Sequence, residues 1–257
     1  MWQRLGKNSG RYFGERIPIW DVLREIDERA AQGGWTRERF YSGDFDLFAY
    51  TRGSGAKRLY VSTGVHGDEP SGPLCALELF RQRLWPDGVQ VSLVPCVNPR
   101  GFELNTRENE AGIDLNRDYR NTRTAVVAAH KAWLEREGIF DLAILLHEDW
   151  EANGFYVYEL NPNQLPSLAE RLIDAVRPVC PIETAETVDN WRCEAGIIRP
   201  AVPPEERPEW AEALWLIQHR SRQNYTLETP SDFELSLRVT AHLAAMREVF
   251  RAVGAES

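Results

Sequence analysis

Short apolar runs alternate along this chain with longer segments in which apolar residues recur every three or four positions. RLYVST (58–63), VQVSLVP (89–95), DLAILL (141–146), GFYVYEL (154–160) and NYTLE (224–228) are short and rich in β-branched and aromatic residues, and they predict strands. PLCALELFRQRL (73–84), TAVVAAHKAWLERE (124–137), SLAERLIDAV (167–176) and a closing segment from about Ser236 to Val253 predict helices. In the first of these Pro73, Leu77, Phe80 and Leu84 share one face and Pro70 stands near the start, so the helix can pack on a sheet with its N-terminus toward the preceding loop. Strand, helix, strand over residues 58–95 is the rhythm of an α/β fold. The first 45 residues, with a helix predicted around Trp20 to Ala31, read as an N-terminal extension packed on the core.

Composition fits this picture. A chain of 257 residues, 43% hydrophobic and 27% charged, can bury one large core, so a single domain over residues 1–257 is expected. A formal net charge of −9 opposes phosphate backbones and anionic lipid heads, which argues against nucleic acid and membrane surfaces as partners. An anionic substrate would need a local cluster of arginines. No run approaches the ~18 apolar residues of a transmembrane helix, and MWQRLGKNSGRYFGER lacks the apolar core of a signal peptide, so a cytoplasmic protein is expected. Cys75, Cys96, Cys180 and Cys193 form no C-x-x-C pair and are too sparse for a disulfide scaffold, which predicts reduced thiols; a Cys180–Cys193 bridge is conceivable only in an exported chain.

Open α/β sheets carry ligand sites beyond the carboxyl ends of their strands. Three polar segments fall there: HGDEP after strand 58–63, HEDWE after strand 141–146 and ETPS after strand 224–228. His66 and Glu69 have H-x-x-E spacing on a turn into a helix, and the Gly between them lets the backbone bend so that both side chains aim at one point. Zinc favours His nitrogen and carboxylate oxygen, and a catalytic site has three protein ligands with an open fourth position, which makes His147 the candidate third ligand. H-x-x-E is common by itself, and a His at a strand end is as a rule a hydrogen-bonded structural residue. The next segment changes the weight.

Residues 98–117 read NPRGFELNTRENEAGIDLNR. In order, HGDEP, NPRGF with a following Arg, DLNR, a His after an apolar strand and LETP resemble the zinc carboxypeptidase family. The likeness is greatest to its small bacterial members, including murein peptide amidases, which share N-P-x-G…R-x-N-x-x-G-x-D-L-N-R. The motifs are spread over residues 66–228, and it is their order, jointly, that is specific.

The resemblance implies a three-layer α/β/α fold with a central mixed, mostly parallel sheet, and one zinc ion per chain on His66, Glu69 and His147. Glu228 would be the general base and Arg107 would polarise the scissile carbonyl. Asn116 and Arg117 would bind the terminal carboxylate, and Asp114 would orient a ligand imidazole. These residue types suit those tasks: a ligand His donates its second N–H to a carboxylate, an Arg presents a planar fork to a carboxyl group, and a carboxylate can move a proton from zinc-activated water to a leaving amine.

Some features depart from the family or lie outside its motifs. No closing tyrosine can be assigned, since Tyr225 is too near Glu228, and position 100 is Arg where many relatives carry Asp. In DNWRCEAGIIRP (189–200), one of Arg192 and Arg199 is expected to read an acidic group on the substrate. Glu148, Asp149 and Glu151 read as a solvated acidic loop, with a second metal as the alternative. His130, His219 and His242 read as structural or exposed, and GSGAKR (53–58) as a loop without phosphate-binding chemistry.

The expected activity is that of a metallocarboxypeptidase or peptide amidase that cleaves an amide next to a free carboxylate through zinc-activated water. The alternative keeps the metal and deacylates an N-acyl amino acid, as succinylglutamate desuccinylase and aspartoacylase relatives do; the substrate is then a small peptide or an acyl amino acid. A silent carboxylate-binding protein is a third reading, against which Glu228 and Arg107 argue.

Overall fold

The computed structural model describes residues 2–6, 15–201 and 206–254; residues 7–14 of the expected N-terminal extension lie outside them. Each predicted strand and helix is present with ends shifted by a few residues. The helices are α1 (Ile19–Gln32), α2 (Ser71–Arg81), α3 (Pro99–Leu104), α4 (Ala125–Arg136), α5 (Ala169–Val176), α6 (Glu212–His219) and α7 (Leu235–Gly254). The strands are β1 (Thr36–Ser42), β2 (Asp46–Arg52), β3 (Lys57–Thr63), β4 (Val89–Val94), β5 (Leu142–Asp149), β6 (Tyr156–Leu160), β7 (Thr187–Val188), β8 (Trp191–Glu194), β9 (Ile197–Ile198) and β10 (Asn224–Pro230).

Among the described residues all these strands join one mixed sheet in the order β1-β2-β4-β3-β5-β10-β6-β9-β8-β7. The four central strands β4, β3, β5 and β10 run parallel to one another. Antiparallel pairings complete both flanks, β1 with β2 and β2 with β4 on one side, β10 with β6 and β8 with its two neighbours on the other. Residues 36–42 of the N-terminal segment are therefore a strand of the sheet itself.

The alternation of strand side chains divides the core in two. Leu59, Val61, Leu142, Ile144, Leu146 and Leu227 face the layer of α1, α2, α5 and α7. Tyr60, Val94, Ala143 and Leu145 face α4 and α6 with Trp133, Leu134, Trp215 and Leu216. A strand buried on both faces must be apolar at every position, which is why DLAILL is continuous rather than alternating. Cys75, Cys96, Cys180 and Cys193 are all free and buried.

Candidate metal centre and cleft

After β3, a turn carries His66 and Glu69 over the carboxyl end of the sheet and into α2. The N-P-R-G-F segment holds this turn from outside. Asn98 caps α3 by accepting from Gly101 N at 2.9 Å, and Gly67 N donates to Thr106 O at 3.0 Å. A Cβ on Gly67 would stand 1.9 Å from the Gly101 carbonyl carbon and 2.3 Å from Phe102 N. The glycine between His66 and Glu69 thus answers to the close approach of two backbones more than to the bend expected from sequence. Asn98 Nδ2 also donates to Arg107 O at 3.4 Å, so the same cap helps to place Arg107.

His147 comes from β5. Glu148, the next residue, ties that strand to α2: Ser71 N donates to Glu148 Oε1 at 2.7 Å and Ser231 Oγ to Oε2 at 3.0 Å, with an ion pair to buried Arg238. These partners make Glu148 a helix cap and core ion pair in place of the solvated residue or second-metal ligand expected. Asp149 accepts from Tyr156 Oη at 3.0 Å and from Glu151 N at 2.8 Å.

His66 Nδ1 lies 2.6 Å from Glu69 Oε1, and His147 Nδ1 lies 2.9 Å from Glu69 Oε2, with all three residues buried. Their ligand atoms fall within 4.8 Å of one another, the single such grouping of His, Cys, Asp or Glu among the described residues. Two imidazole nitrogens and a carboxylate are the donor set of a catalytic divalent-metal site with room for further ligands. The far nitrogen of His66, Nε2, faces Asp114 Oδ1 at 3.2 Å. Asp114 Oδ2 in turn accepts from Arg107 Nε at 2.9 Å, and Arg107 Nη1 stands 3.6 Å from Glu69 Oε1.

The electrostatics separate these carboxylates from Glu228. Burial works to raise Glu69, but the charges and hydrogen bonds of His66 and His147 outweigh it and hold its carboxyl well below the usual range. Asp114 is likewise held low, burial being overcome by His66 and Arg107. For His66, burial opposes the charged form, yet Glu69 and Asp114 raise its pKa. Glu228 moves the other way: burial pushes it up, with the charges of Glu69, Asp149 and Asp189 adding to the shift against His147. A bound cation would oppose that shift by favouring the carboxylate.

The cluster opens into a cleft of about 590 Å³, with Arg107, Asn116, Arg117, Arg207 and Glu228 among its lining residues. Asn116 Oδ1 accepts from Glu212 N at 2.8 Å, which leaves the amide NH2 as the end of that side chain available to the cleft. Arg117 Nη1 donates to Asn116 O at 3.0 Å.

Arg192 and Arg199 do not line the cleft. The Arg192 side chain is 82% exposed beside Glu194. Arg199 donates to Glu159 at 2.6 Å and to Glu170 at 2.8 Å on another face. Asp189 and Trp191 from the same segment do line it, and Arg207 supplies the extra guanidinium from a Pro- and Glu-rich stretch that carries no motif. Tyr225 is buried, bonded to Glu159 at 2.8 Å and Leu168 N at 2.7 Å, and faces away from any closing role; the cleft tyrosines are Tyr156 and Tyr158. His130 and His242 are buried and hydrogen-bonded, as structural histidines are.

The structure of a metallo-carboxypeptidase from Burkholderia cenocepacia aligns with this one at a TM-score of 0.67, over 91% of this chain and 69% of that one, with 16% identity. The chain has the metallo-carboxypeptidase fold. A Shewanella denitrificans protein, provisionally assigned as a metallopeptidase, shares this fold with a TM-score of 0.81 over 97% of this chain and all of its own, at 24% identity. A family model described as a protein of unknown function (DUF2817) matches residues 37–154, the part of the metallo-carboxypeptidase fold that holds His66, Glu69 and His147. Murein peptide amidase A of Escherichia coli K12 is 39% identical over 59 residues, 23% of this chain and 24% of the relative, so the match spans about a quarter of that protein. Among the described residues no helix is long and apolar enough to cross a membrane.

Proposed function

We propose that this protein is a metal-dependent hydrolase that cleaves an amide bond next to a free carboxylate, with one zinc ion held by His66, Glu69 and His147. The convergence of His66 Nδ1, Glu69 and His147 Nδ1 at the base of a cleft, with Glu228 paired beside His147, carries this reading. A divalent cation there supplies electrophilic polarisation of the scissile carbonyl and a lowered pKa for water. Glu228 accepts a proton from the attacking water and returns it to the leaving nitrogen. Arg107, fixed through Nε by Asp114, offers its remaining N–H groups to the carbonyl oxygen as charge develops, a contribution of roughly 3–4 kcal/mol per donor in comparable sites. Asn116 and Arg117 hold the terminal carboxylate, the amide donating from Nδ2 and the guanidinium from its fork. The likeness to a murein peptide amidase over 59 residues supports a peptide amide as the bond cleaved.

The test is metal content by mass spectrometry on the wild type and a His147→Ala variant, followed by a screen of short peptides and, as a separate arm, N-acyl amino acids. About one zinc per chain that is lost in the variant, with turnover of one substrate class, supports the reading. A wild type that holds no metal after reconstitution removes it.

A further inference from the structure

The cleft holds one guanidinium more than the proposed reaction uses. Arg207 precedes α6, partly buried, with its Cζ 4.7 Å from the centroid of the Trp191 ring. Stacking of this kind fixes the plane of the guanidinium while leaving its edges for hydrogen bonds.

One of those edges is not used by any described residue. Nε and Nη2 of Arg207 are buried and have no hydrogen-bond partner among the described residues. These two nitrogens form one edge of the guanidinium, the fork that takes a carboxylate with two parallel N–H···O bonds. Arg107, Arg192 and Arg199 each face a carboxylate at 2.9 Å or less, whereas Arg117, the other guanidinium of the cleft, donates to the backbone at Asn116 O. Asp189, two positions before Trp191, accepts from Tyr158 Oη at 2.8 Å. Burial opposes the charge of Arg207, and the positive charge of Arg117 opposes it too. A buried donor without a partner is costly, and here it lies in a cleft beside a second cation.

We propose that Arg207, stacked on Trp191, binds a second carboxylate of the substrate, so that the cleft selects dicarboxylic molecules with one carboxylate on Asn116 and Arg117 and the other on Arg207. The role of Arg207 as a specificity residue rests on the hydrolase reading above, but the anion site can be tested without turnover.

Binding of succinate, glutarate and adipate, and of the monoamide of each, is measured by calorimetry on the full chain as wild type, R207A, R207K and R24A. Arg24 lies on α1 with its side chain 66% exposed and serves as the control for loss of one positive charge. At least one dicarboxylate should bind the wild type roughly tenfold more tightly than its monoamide, as a two-pronged charged contact implies. R207A should bring the pair to within about threefold, R24A should leave the preference intact, and R207K, a point charge without the fork, should fall between. Retention of the preference in R207A, or its absence in the wild type at every chain length, overturns the proposal. Failure of all hydrolysis with loss of the preference in R207A would remove the hydrolase reading and leave the anion site standing; hydrolysis with the preference intact in R207A would do the reverse.

Discussion

Glu228 and His147 are paired residue to residue across the parallel β5–β10 ladder at the centre of the sheet. The spacing between the proposed base and a proposed metal ligand is therefore set by backbone hydrogen bonds, and neither residue depends on a loop for its position. Sites on strands hold their geometry more tightly than sites on loops.

A division of labour between the two side chains follows. Glu228→Gln should keep the metal and lose at least about a hundredfold in kcat/KM, whereas His147→Ala should lose metal and activity together. Metal content and turnover measured on the same preparations separate these effects, and E228Q activity within about threefold of wild type would remove Glu228 as the base.

Asp114 touches both the far nitrogen of His66 and Nε of Arg107. Asp114→Asn keeps the size but not the charge, and should weaken metal binding by roughly 10–100-fold while the fold persists. A chelator competition titration with circular dichroism as the fold control checks this; unchanged affinity would show that the contact does not orient the ligand.

Gly67→Ala would force a methyl group to within 1.9 Å of backbone at Gly101. The two segments must then separate, at a cost of about 1–3 kcal/mol in stability, and metal affinity should fall with them because His66 and Glu69 flank the glycine. Urea unfolding of the metal-free protein gives the first quantity without interference from the second.

Acid should act on the opposite side of the sheet. His130 is fully buried between Tyr60 at 2.9 Å and Tyr119 at 2.7 Å, and burial pushes its pKa down from 6.5 to about 3. Below pH 6.5 the unfolded chain binds a proton there that the folded chain refuses, so stability falls as pH drops from 6.5 toward 3. Glu212, raised by burial from 4.5 to about 7, works in the opposite sense, since the folded form holds the extra proton between those values. The comparison is therefore of wild type with His130→Asn: the stability advantage of the wild type should shrink by about 2 kcal/mol between pH 7 and pH 5. A difference independent of pH would mean that His130 titrates alike in both states.

The central strands were legible in the sequence because burial on both faces demands unbroken apolar runs, and the helices because one-sided burial demands a 3.6-residue repeat. Strands β1 and β2 were not, since TRERFYS and DLFAYTR mix charge with aromatics; β1 is an exposed edge, and β2 beside it buries only part of its length. The two-residue strands β7 and β9 are too short to show a period. In the cleft, His66, Glu69, Arg107, Asp114, Asn116 and Arg117 lie in two compact motifs, and His147 and Glu228 lie in strands just past their apolar runs. Arg207 lies in neither setting. Its place depends on stacking against Trp191, a contact sixteen positions away in sequence that no local spacing encodes. The arginines closer to Trp191, at 192 and 199, were drawn instead to Glu194, Glu159 and Glu170.

Strand β10 lies between β5 and β6, although among the described residues it follows every other strand in sequence. During synthesis β5 and β6 must wait with unpaired edges until residue 230 has emerged, and an apolar strand with an open edge is a template for the wrong neighbour. The segment that delivers Glu228 is thus also the one that closes the sheet, so a ribosome-bound intermediate that stalls before it should depend on chaperones for its solubility.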